Sequence, residues 1–277
     1  EAVMNQYILS FDQSTSTTKA LLFDQHAALI GRADIAHRQI INDQGWVEHD
    51  ADEILANVYK AAEQLLLQTG VDRNCIKAVS ISNQRETALA WDRTTGKPLY
   101  NAIVWQCGRA QEICNNLTDQ KTLIHNHTGL HLSPYFSAAK FSWLLKHVEQ
   151  VRQAAENQQL VLSTMDSFLL HHLSEEKVVK TDYSNASRTQ LLHLTKLNWD
   201  SEVAQLFGIP LNCLPEVCDS NAIFAHTTIG GLLQASVPLC GVLGDSQGAL
   251  FAQGCLQEGL TKATYGTGSS IMMNIGS

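Results

Sequence analysis

Apolar and polar positions at the start of the chain predict a β-hairpin. The segment 7–12 forms an apolar first strand and the segment 19–24 a second one. Between them, residues 13–18 form a polar turn whose side chains are mostly hydroxyls. A third strand is predicted over 29–37, because only a short turn separates it from the second.

The spacing of apolar residues then changes to that of an amphipathic helix. Between residues 51 and 68, apolar side chains recur at a spacing of three and four positions, which predicts a helix over this range. Asp50 or Asp52 is suited to cap the N-terminus of this helix, and Gly70 is suited to end it.

The rest of the chain alternates predicted strands with predicted helices. Turn residues predict irregular structure over 208–236. This order of elements predicts an α/β fold with a mixed β-sheet flanked by helices. Strands are predicted at 76–82, 87–91 and 239–243, helices at 106–118, 136–147, 165–173, 199–207 and 249–255, and a hairpin at 260–265 and 270–274.

Composition and charge narrow the classes of function. The chain has 277 residues, 44% of them hydrophobic, and a net charge of −8. This acidity argues against nucleic acid or an anionic membrane as a partner, and no apolar stretch is long enough to span a bilayer. Any binding of phosphate must therefore be local, through backbone amides, a metal ion or a few placed cations.

Seven cysteines are scattered along the chain without a C-x-x-C pair. Their spacing supports neither a disulfide framework nor a zinc site. Several lie in apolar strings, which predicts buried reduced thiols and a cytoplasmic location.

Two turns are candidates for phosphate binding. The chain lacks the G-x-x-x-x-G-K-[ST] loop and the catalytic-loop pattern of protein kinases, so two common ways of binding ATP are excluded. A β-hairpin tip that presents amides and hydroxyls is another way, and it is available at 13–18 and at Gly266-Thr267-Gly268. Hydroxyl-rich turns also occur without any ligand, so each turn alone leaves both interpretations open.

Two carboxylates stand at the ends of apolar strands, which is where clefts usually open. Asp12 ends the first strand, and Asp245 follows the strand at 239–243. One of them could hold Mg²⁺ through water and the other could act as a general base. Capping of a turn or helix is the alternative role, and it is a serious one for Asp245, which precedes a predicted helix.

A polar run between two predicted strands is suited to bind vicinal hydroxyls. Arg85 and Glu86 place hydrogen-bond donors beside acceptors, and Trp105 could cover the carbon face of a polyol. Tyr135 adds a second amphipathic ring. Taken alone, these residues could equally be a surface salt bridge and two core aromatics.

In combination, these segments resemble the FGGY carbohydrate kinases and, among them, most closely the glycerol kinases. The resemblance extends over nearly the whole chain, from Tyr7 to Gly276. The matching motifs are Asp12-Gln13 with its hydroxyl tip, the segments 45–50 (GWVEHD), 83–87 (NQRET), 101–106 (NAIVWQ), 181–188 (TDYSNASR) and 265–268 (YGTG), and the run 135–147 around Lys140 and Trp143.

The resemblance implies an actin/hexokinase-like (ribonuclease H-like) fold and a kinase of two similar domains. Residues 1–277 would be the N-terminal, substrate-binding domain, and a C-terminal domain outside this chain would hold the nucleotide. The expected reaction is ATP-dependent phosphorylation of a terminal hydroxyl of a small polyol or sugar. By itself, the fragment is expected to be inactive, and a homodimer is an open expectation.

The resemblance also implies roles for individual residues. Asp245 would be the catalytic base, and Asp12 would lie near Mg²⁺. The remaining roles are binding roles. The substrate would be bound by Arg85, Glu86, Trp105, Tyr135, Asp245 and Ser246, and the phosphates of ATP by Thr15, Ser16, Lys19, Gly266 and Thr267.

Two departures from the family pattern concern the size of the substrate. Ser246 stands where glycerol kinases have Gln, and Ser270 stands where they have an aromatic residue. Both changes remove bulk, so we expect a substrate larger than glycerol, with four or five carbons. A ketopentose kinase of the xylulose type, or a non-catalytic sugar-binding protein, are the alternatives.

Overall fold

The computed structural model describes residues 5–265 and 269–276. It has a mixed α/β architecture with one six-stranded sheet and five small two- or three-stranded sheets among the described residues. Short 3₁₀ helices lie at Arg73–Cys75, Thr118–Gln120 and Leu211–Cys213. No helix in the described ranges is long and apolar enough to cross a membrane.

The strands are β1 (Tyr7–Gln13), β2 (Thr17–Asp24), β3 (Leu29–Ala36), β4 (Ile40–Ile41), β5 (Val47–His49), β6 (Ile76–Asn83), β7 (Leu89–Asp92), β8 (Ala102–Ile103), β9 (Leu160–Ser163), β10 (Lys180–Asp182), β11 (Leu192–His193), β12 (Asn198–Trp199), β13 (Glu216–Cys218), β14 (Ile223–Thr227), β15 (Val237–Gly244), β16 (Thr261–Tyr265) and β17 (Ser269–Met273). The α-helices are α1 (Ala51–Thr69), α2 (Gln111–Asn116), α3 (Lys121–Thr128), α4 (Ser137–His147), α5 (Glu149–Glu156), α6 (Met165–Leu173), α7 (Tyr183–Ala186), α8 (Ser201–Leu206) and α9 (Asp245–Ala252).

The large sheet has the strand order β14-β15-β6-β1-β2-β3. The chain starts with the antiparallel strands β1, β2 and β3, and the sheet then grows by parallel pairing of β6 with β1 and of β15 with β6. One face of the sheet carries the buried side chains of β1 and β2, such as Leu9, Phe11 and Leu22, which pack in one cluster with α1 and α6. The other face is polar around Ser10 and Ser80, whose hydroxyls hydrogen-bond at 2.6 Å.

Local signals explain the ends of α1. Asp50 accepts hydrogen bonds from the backbone N–H groups of Asp52 and Glu53, so Asp50 is the N-cap. Gly70 ends the helix in a left-handed conformation with φ of 61°, which glycine adopts without a steric penalty. Of the two cap candidates in the sequence, Asp50 is therefore the one used.

β15 contains one residue more than β6 between two of its paired positions. Leu239 pairs with Val79 and Val242 with Ile81, so three steps along β15 match two along β6. The extra residue is accommodated as a β-bulge near Gly241, whose φ is 68°. Beyond the bulge, the burial alternation is reversed, and Val242 and Gly244 become the buried positions.

Several expected element bounds were wrong. The region 208–236, predicted to be irregular, contains β13 and the sheet-edge strand β14. The helix expected at 249–255 is α9, which begins at Asp245 and ends at Ala252. The helix expected at 106–118 is confined to 111–116 because turns occupy the residues before it.

Candidate active site

Three parallel strands bring their carboxyl ends to one edge of the large sheet. Gln13 of β1 pairs with Asn83 of β6, and Asn83 pairs with Gly244 of β15. Segments that leave such strand ends meet, and in open α/β sheets ligands bind there. The tip after β1, the turn after β6 and the first turn of α9 therefore form one site.

The tip after β1 is the hairpin for which the sequence predicts phosphate binding. The backbone N–H of Ser14 donates to the carbonyl of Thr17 at 2.9 Å and closes the turn. The hydroxyl of Thr15 accepts a hydrogen bond of 2.9 Å from Nε1 of Trp105. The turn is thereby fixed against the aromatic side of the site, with its hydroxyls facing the cavity.

Asp12 and Lys19 form an ion pair across the β1–β2 ladder. Lys19 Nζ donates to Asp12 Oδ2 at 2.7 Å, and the Asp12 side chain is about 30% exposed. One carboxylate oxygen is occupied by this pair, which leaves the other on a solvent-accessible side of the sheet. A single carboxylate with water around it is the kind of donor set that Mg²⁺ prefers.

Arg85 connects the end of β6 with the start of α9. Its Nε donates to Asp245 Oδ1 at 2.9 Å, its Nη2 to Ser246 Oγ at 2.8 Å and its Nη1 to Gln247 Oε1 at 3.2 Å. A Cβ on Gly244 would lie only 2.6 Å from Cδ of Arg85. The glycine at 244 therefore allows the guanidinium to reach the Asp245 carboxylate.

Glu86 is held in a conformation that is unfavourable for a residue with a side chain. Its φ is 61°, and the N–H of Thr87 donates to the carbonyl of Arg85 at 2.7 Å, so Glu86 is the centre of a γ-turn. Its carboxylate is 2% exposed and accepts from Nε of Arg188 at 2.6 Å. Strain of this kind is common at functional sites, where surrounding contacts enforce it.

Two rings form the apolar wall of the site. The rings of Trp105 and Tyr135 meet edge to face with centroids 5.6 Å apart. Burial raises the pKa of Tyr135, so its phenol keeps the proton and can donate a hydrogen bond. The guanidinium of Arg188 lies 5.9 Å from the Tyr135 ring and 5.0 Å from the Phe136 ring.

All substrate-binding residues expected from the sequence line one cavity of about 440 Å³. The hydroxyl tip and Lys19, expected to bind phosphate, line the same cavity. Its lining consists of Ser14, Thr15, Ser16, Lys19, Gln84, Arg85, Glu86, Trp105, Tyr135, Asp245, Ser246, Thr264, Ser269 and Ser270.

Asp12 lies apart from this group. It lines a neighbouring cavity of about 430 Å³ on the polar face of the sheet, together with Ser10 and Ser80. Asp245 lines both cavities and is the residue that connects them. Gly266 and Thr267, expected to bind phosphate, lie outside the described residues.

Sequence reasoning assigned no role to Arg188 or Lys262. Arg188 ends the motif 181–188, and only the fold shows that it reaches Glu86. Lys262 is 1% exposed and donates to Thr264 Oγ1 at 2.8 Å. Burial and the charge of Arg85 lower the pKa of Lys262, while the Asp245 carboxylate raises it. No sequence signal pointed to Lys262, because spacing alone does not reveal that a lysine in a short strand is buried.

Residues 7–252 match the FGGY family of carbohydrate kinases, N-terminal domain. The chain belongs to this family. It is 45% identical to a glycerol kinase of Alkaliphilus metalliredigens over 99% of its own length and 55% of that relative, and 44% identical to glycerol kinase 1 of Thermotoga maritima over 98% and 55%. The chain thus spans about half the length of the curated relatives it matches.

Solved structures of FGGY kinases share the fold. The crystal structure of Plasmodium falciparum glycerol kinase with ADP has a TM-score of 0.89 at 33% identity and covers 96% of this chain and 54% of that one. A ligand-bound xylulose kinase from Lactobacillus acidophilus has a TM-score of 0.84 at 20% identity, covers 96% and 54%, and shows likeness of fold alone. The actin/hexokinase-like fold expected from the sequence is confirmed.

Several cysteines were expected to be buried, and four of the seven are: Cys107, Cys114, Cys213 and Cys255. Burial raises the pKa of Cys114 and of Cys213 to about 11, so these two thiols stay protonated and unreactive.

Proposed function

We propose that this chain is the N-terminal domain of a two-domain enzyme that transfers the terminal phosphate of ATP to a terminal hydroxyl of a small polyol or sugar. The observation that carries the proposal is the position of the Asp245 carboxylate. It lies on the boundary between the cavity with the polyol-binding groups and the cavity that contains Asp12. Membership of the FGGY family supports it.

Asp245 is the proposed base. Its Oδ1 accepts from Arg85 Nε at 2.9 Å and from the N–H of Ser246 at 2.6 Å, which fixes the carboxylate and leaves Oδ2 to the substrate. Oδ2 takes the proton of the acceptor hydroxyl while the oxygen of that hydroxyl forms a bond to the terminal phosphorus of ATP. The bond from that phosphorus to ADP breaks, and ADP leaves with the electron pair.

The hydroxyl tip is the proposed site for the transferred phosphate. Thr15, Ser16 and Lys19 line the cavity, and Gly266 and Thr267 are proposed to complete the phosphate contacts. Mg²⁺, held through water by Asp12, would neutralise the charge of the phosphate oxygens.

The first test is an ADP-release assay on the full-length protein. Asp245→Asn is expected to lower kcat about a thousandfold, because loss of a general base costs on the order of 10²–10⁴ in rate. Asp219→Asn, an exposed Asp on the surface, is the matched control and should leave the rate unchanged. Full activity in the Asp245 variant would refute its role as the base.

The substrate is proposed to be a polyol with four or five carbons. Ser246 and Ser270 both line the cavity, and the hydroxyl of Ser246 is already used as an acceptor for Arg85 at 2.8 Å. Short side chains at these positions leave room beside the guanidinium. We also propose a cytoplasmic enzyme, for which the seven free thiols are the support.

A panel of C3 to C6 polyols and ketoses tests the size of the substrate. We expect kcat/KM for C4 or C5 compounds to exceed that for glycerol about tenfold, since one methylene is worth roughly 1–3 kcal/mol in such discrimination. The double variant Ser246→Gln with Ser270→Phe should shift the preference back to glycerol. Glycerol turned over far better than C4 and C5 polyols by the unmodified protein would refute this size preference.

The same panel distinguishes the alternatives. Preference for a ketopentose would identify a xylulose-type kinase. Binding of a sugar without release of ADP would identify a non-catalytic member of the fold. Sedimentation of the full-length protein would test whether it is a homodimer.

A further inference from the structure

Lys140 is a fully buried lysine that lines neither cavity of the site. It lies in the second turn of α4 and is 0% exposed. Its ammonium donates to the carbonyl oxygens of Pro134 at 2.6 Å, Tyr135 at 2.6 Å and Phe136 at 3.3 Å. All three carbonyls belong to the segment that leads into α4.

Burying the charge of Lys140 costs free energy. Burial, together with a smaller contribution from the charge of Arg109, lowers the pKa of Lys140 to about 7, although the carboxylate of Glu86 opposes the shift. A cation near the N-terminus of a helix also meets the positive end of the helix dipole. Burying an ammonium is costly in free energy, and its hydrogen bonds must offset that cost. The contacts of the ammonium therefore point to a role in the site beyond stability.

The segment that Lys140 holds is the one that presents Tyr135 to the cavity. The Tyr135 ring lies against Trp105, and the hydroxyl of Ser137, the next residue but one, donates to the carbonyl of Glu86 at 3.0 Å. Three N–H groups of one ammonium fix three successive carbonyls. Because a backbone fixed at three consecutive positions has little freedom left, the direction of the Tyr135 side chain is set by Lys140.

We propose that Lys140 is a positioning residue for the acceptor substrate, which holds Tyr135 in the polyol-binding orientation through the carbonyls of Pro134, Tyr135 and Phe136. The inference rests on the proposed function, because it assigns Tyr135 to the polyol. It extends that function by separating a substrate-orienting residue from those that contact ATP.

The chemistry of the contact requires an ammonium. Its three tetrahedral N–H groups match three converging carbonyls, whereas the guanidinium of arginine is planar, wider and directed along a fork. Lys140→Arg is therefore not expected to preserve binding of the polyol. Lys140→Met keeps the packing of the side-chain stem but removes the charge and all three donors.

Steady-state kinetics on the full-length protein test the proposal. Lys140→Met is expected to raise KM for the polyol about tenfold, because hydrogen bonds to a charged group are lost. The KM for ATP should stay within about twofold of that of the unmodified protein. In a Tyr135→Ala background, the same substitution should have little further effect. Lys146→Met, at an exposed position of the same helix, is the matched control with unchanged constants.

Hydrogen exchange provides a measurement that does not depend on activity. In Lys140→Met, amides of the segment 133–137 should exchange about tenfold faster while those of β1 and β6 stay protected. If Lys140→Met does not fold, Lys140→Gln, which keeps one amide donor, is measured in its place. Equal rises of both KM values, or unchanged exchange in 133–137, would overturn the proposal. If the unmodified protein phosphorylates no polyol, the proposed function fails, and the exchange data still decide whether Lys140 holds the segment.

Discussion

At the scale of single residues, the site depends on charges that are buried in pairs. Glu86 is almost fully buried, and Arg188 is the cation closest to it at 2.6 Å, while Arg85 Nη1 is 4.0 Å away. Burying a carboxylate without a partner is costly, so the cations near Glu86 offset part of that cost. The left-handed φ of Glu86 adds strain at the same residue, which these ion pairs and the hydrogen bond from Ser137 to its carbonyl hold in place.

Arg188→Met is expected to destabilise the protein by about 3 kcal/mol, because it leaves the Glu86 carboxylate without its nearest partner. Urea unfolding measures this change. The double variant Glu86→Gln with Arg188→Met should recover a large part of the loss, since a neutral amide needs no cation. A double variant less stable than Arg188→Met alone would contradict the pairing.

The residue scale also marks a limit of sequence reasoning. Arg85 and Glu86 could be chosen because they are adjacent and lie between two predicted strands. Arg188 could not, because it is 102 positions from Glu86 and only the folded chain brings the two side chains together. The positive φ of Glu86 could not be predicted either, since no sequence pattern marks a strained glutamate.

At the scale of elements, local signals predicted structure well where one element has its own start and stop. The first hairpin and α1 are examples: alternation defines the strands, and Asp50 and Gly70 define the helix. β14 was missed because it is an edge strand of five residues among turn residues, and its pairing with β15 is decided by the sheet. The start of α9 was placed four residues late because Gly244 and Gly248 resemble turn signals.

The cap of α1 offers a test at this scale. Asp50→Ala is expected to lower the free energy of unfolding by about 1 kcal/mol, because two N–H groups lose their acceptor. Asp52→Ala, in the first turn of the same helix, should cost only a few tenths of a kcal/mol through the helix dipole. Urea unfolding of both variants decides, and equal losses would mean that Asp50 is not the cap.

At the scale of the whole molecule, the site lies at the seam between two hydrophobic cores. The first core lies between the large sheet and helices α1 and α6, and the second surrounds α4, α5, β7 and β9. Arg85 and Asp245 follow strands of the first core, while Trp105 packs against the second core and contacts Tyr135. Relative movement of the two cores would therefore change the cavity directly.

A buried carboxyl at the start of α6 makes the stability of the whole molecule depend on pH. Asp166 accepts hydrogen bonds from the hydroxyls of Thr164 and Thr181, each at 2.6 Å. Burial, together with the charge of Asp182, raises the pKa of Asp166 to about 7. The folded protein then holds a proton that the unfolded chain releases above about pH 4, so this contribution to stability decreases as pH rises from about 4 to about 7.

Asp166→Asn removes this dependence, because an amide does not titrate. The free energy of unfolding of the variant, minus that of the unmodified protein, is expected to be larger at pH 8 than at pH 5. Urea unfolding at both pH values measures the difference, with Asp119→Asn at an exposed position as control. The same stability difference at both pH values would show that Asp166 is ionised in the folded protein.

The bulge in β15 has a consequence for how this sequence tolerates insertion and deletion. The surplus residue places both Cys240 and Gly241 between the inward positions Leu239 and Val242. Removing Gly241 would leave one residue between them and restore regular alternation, so Val242 and Gly244 would still point inward and Asp245 would still arrive beside Arg85. Removing one residue after the bulge would instead shift the position at which Asp245 leaves the strand. Loss of Gly241 is therefore expected to be tolerated better than loss of Val242 or Leu243.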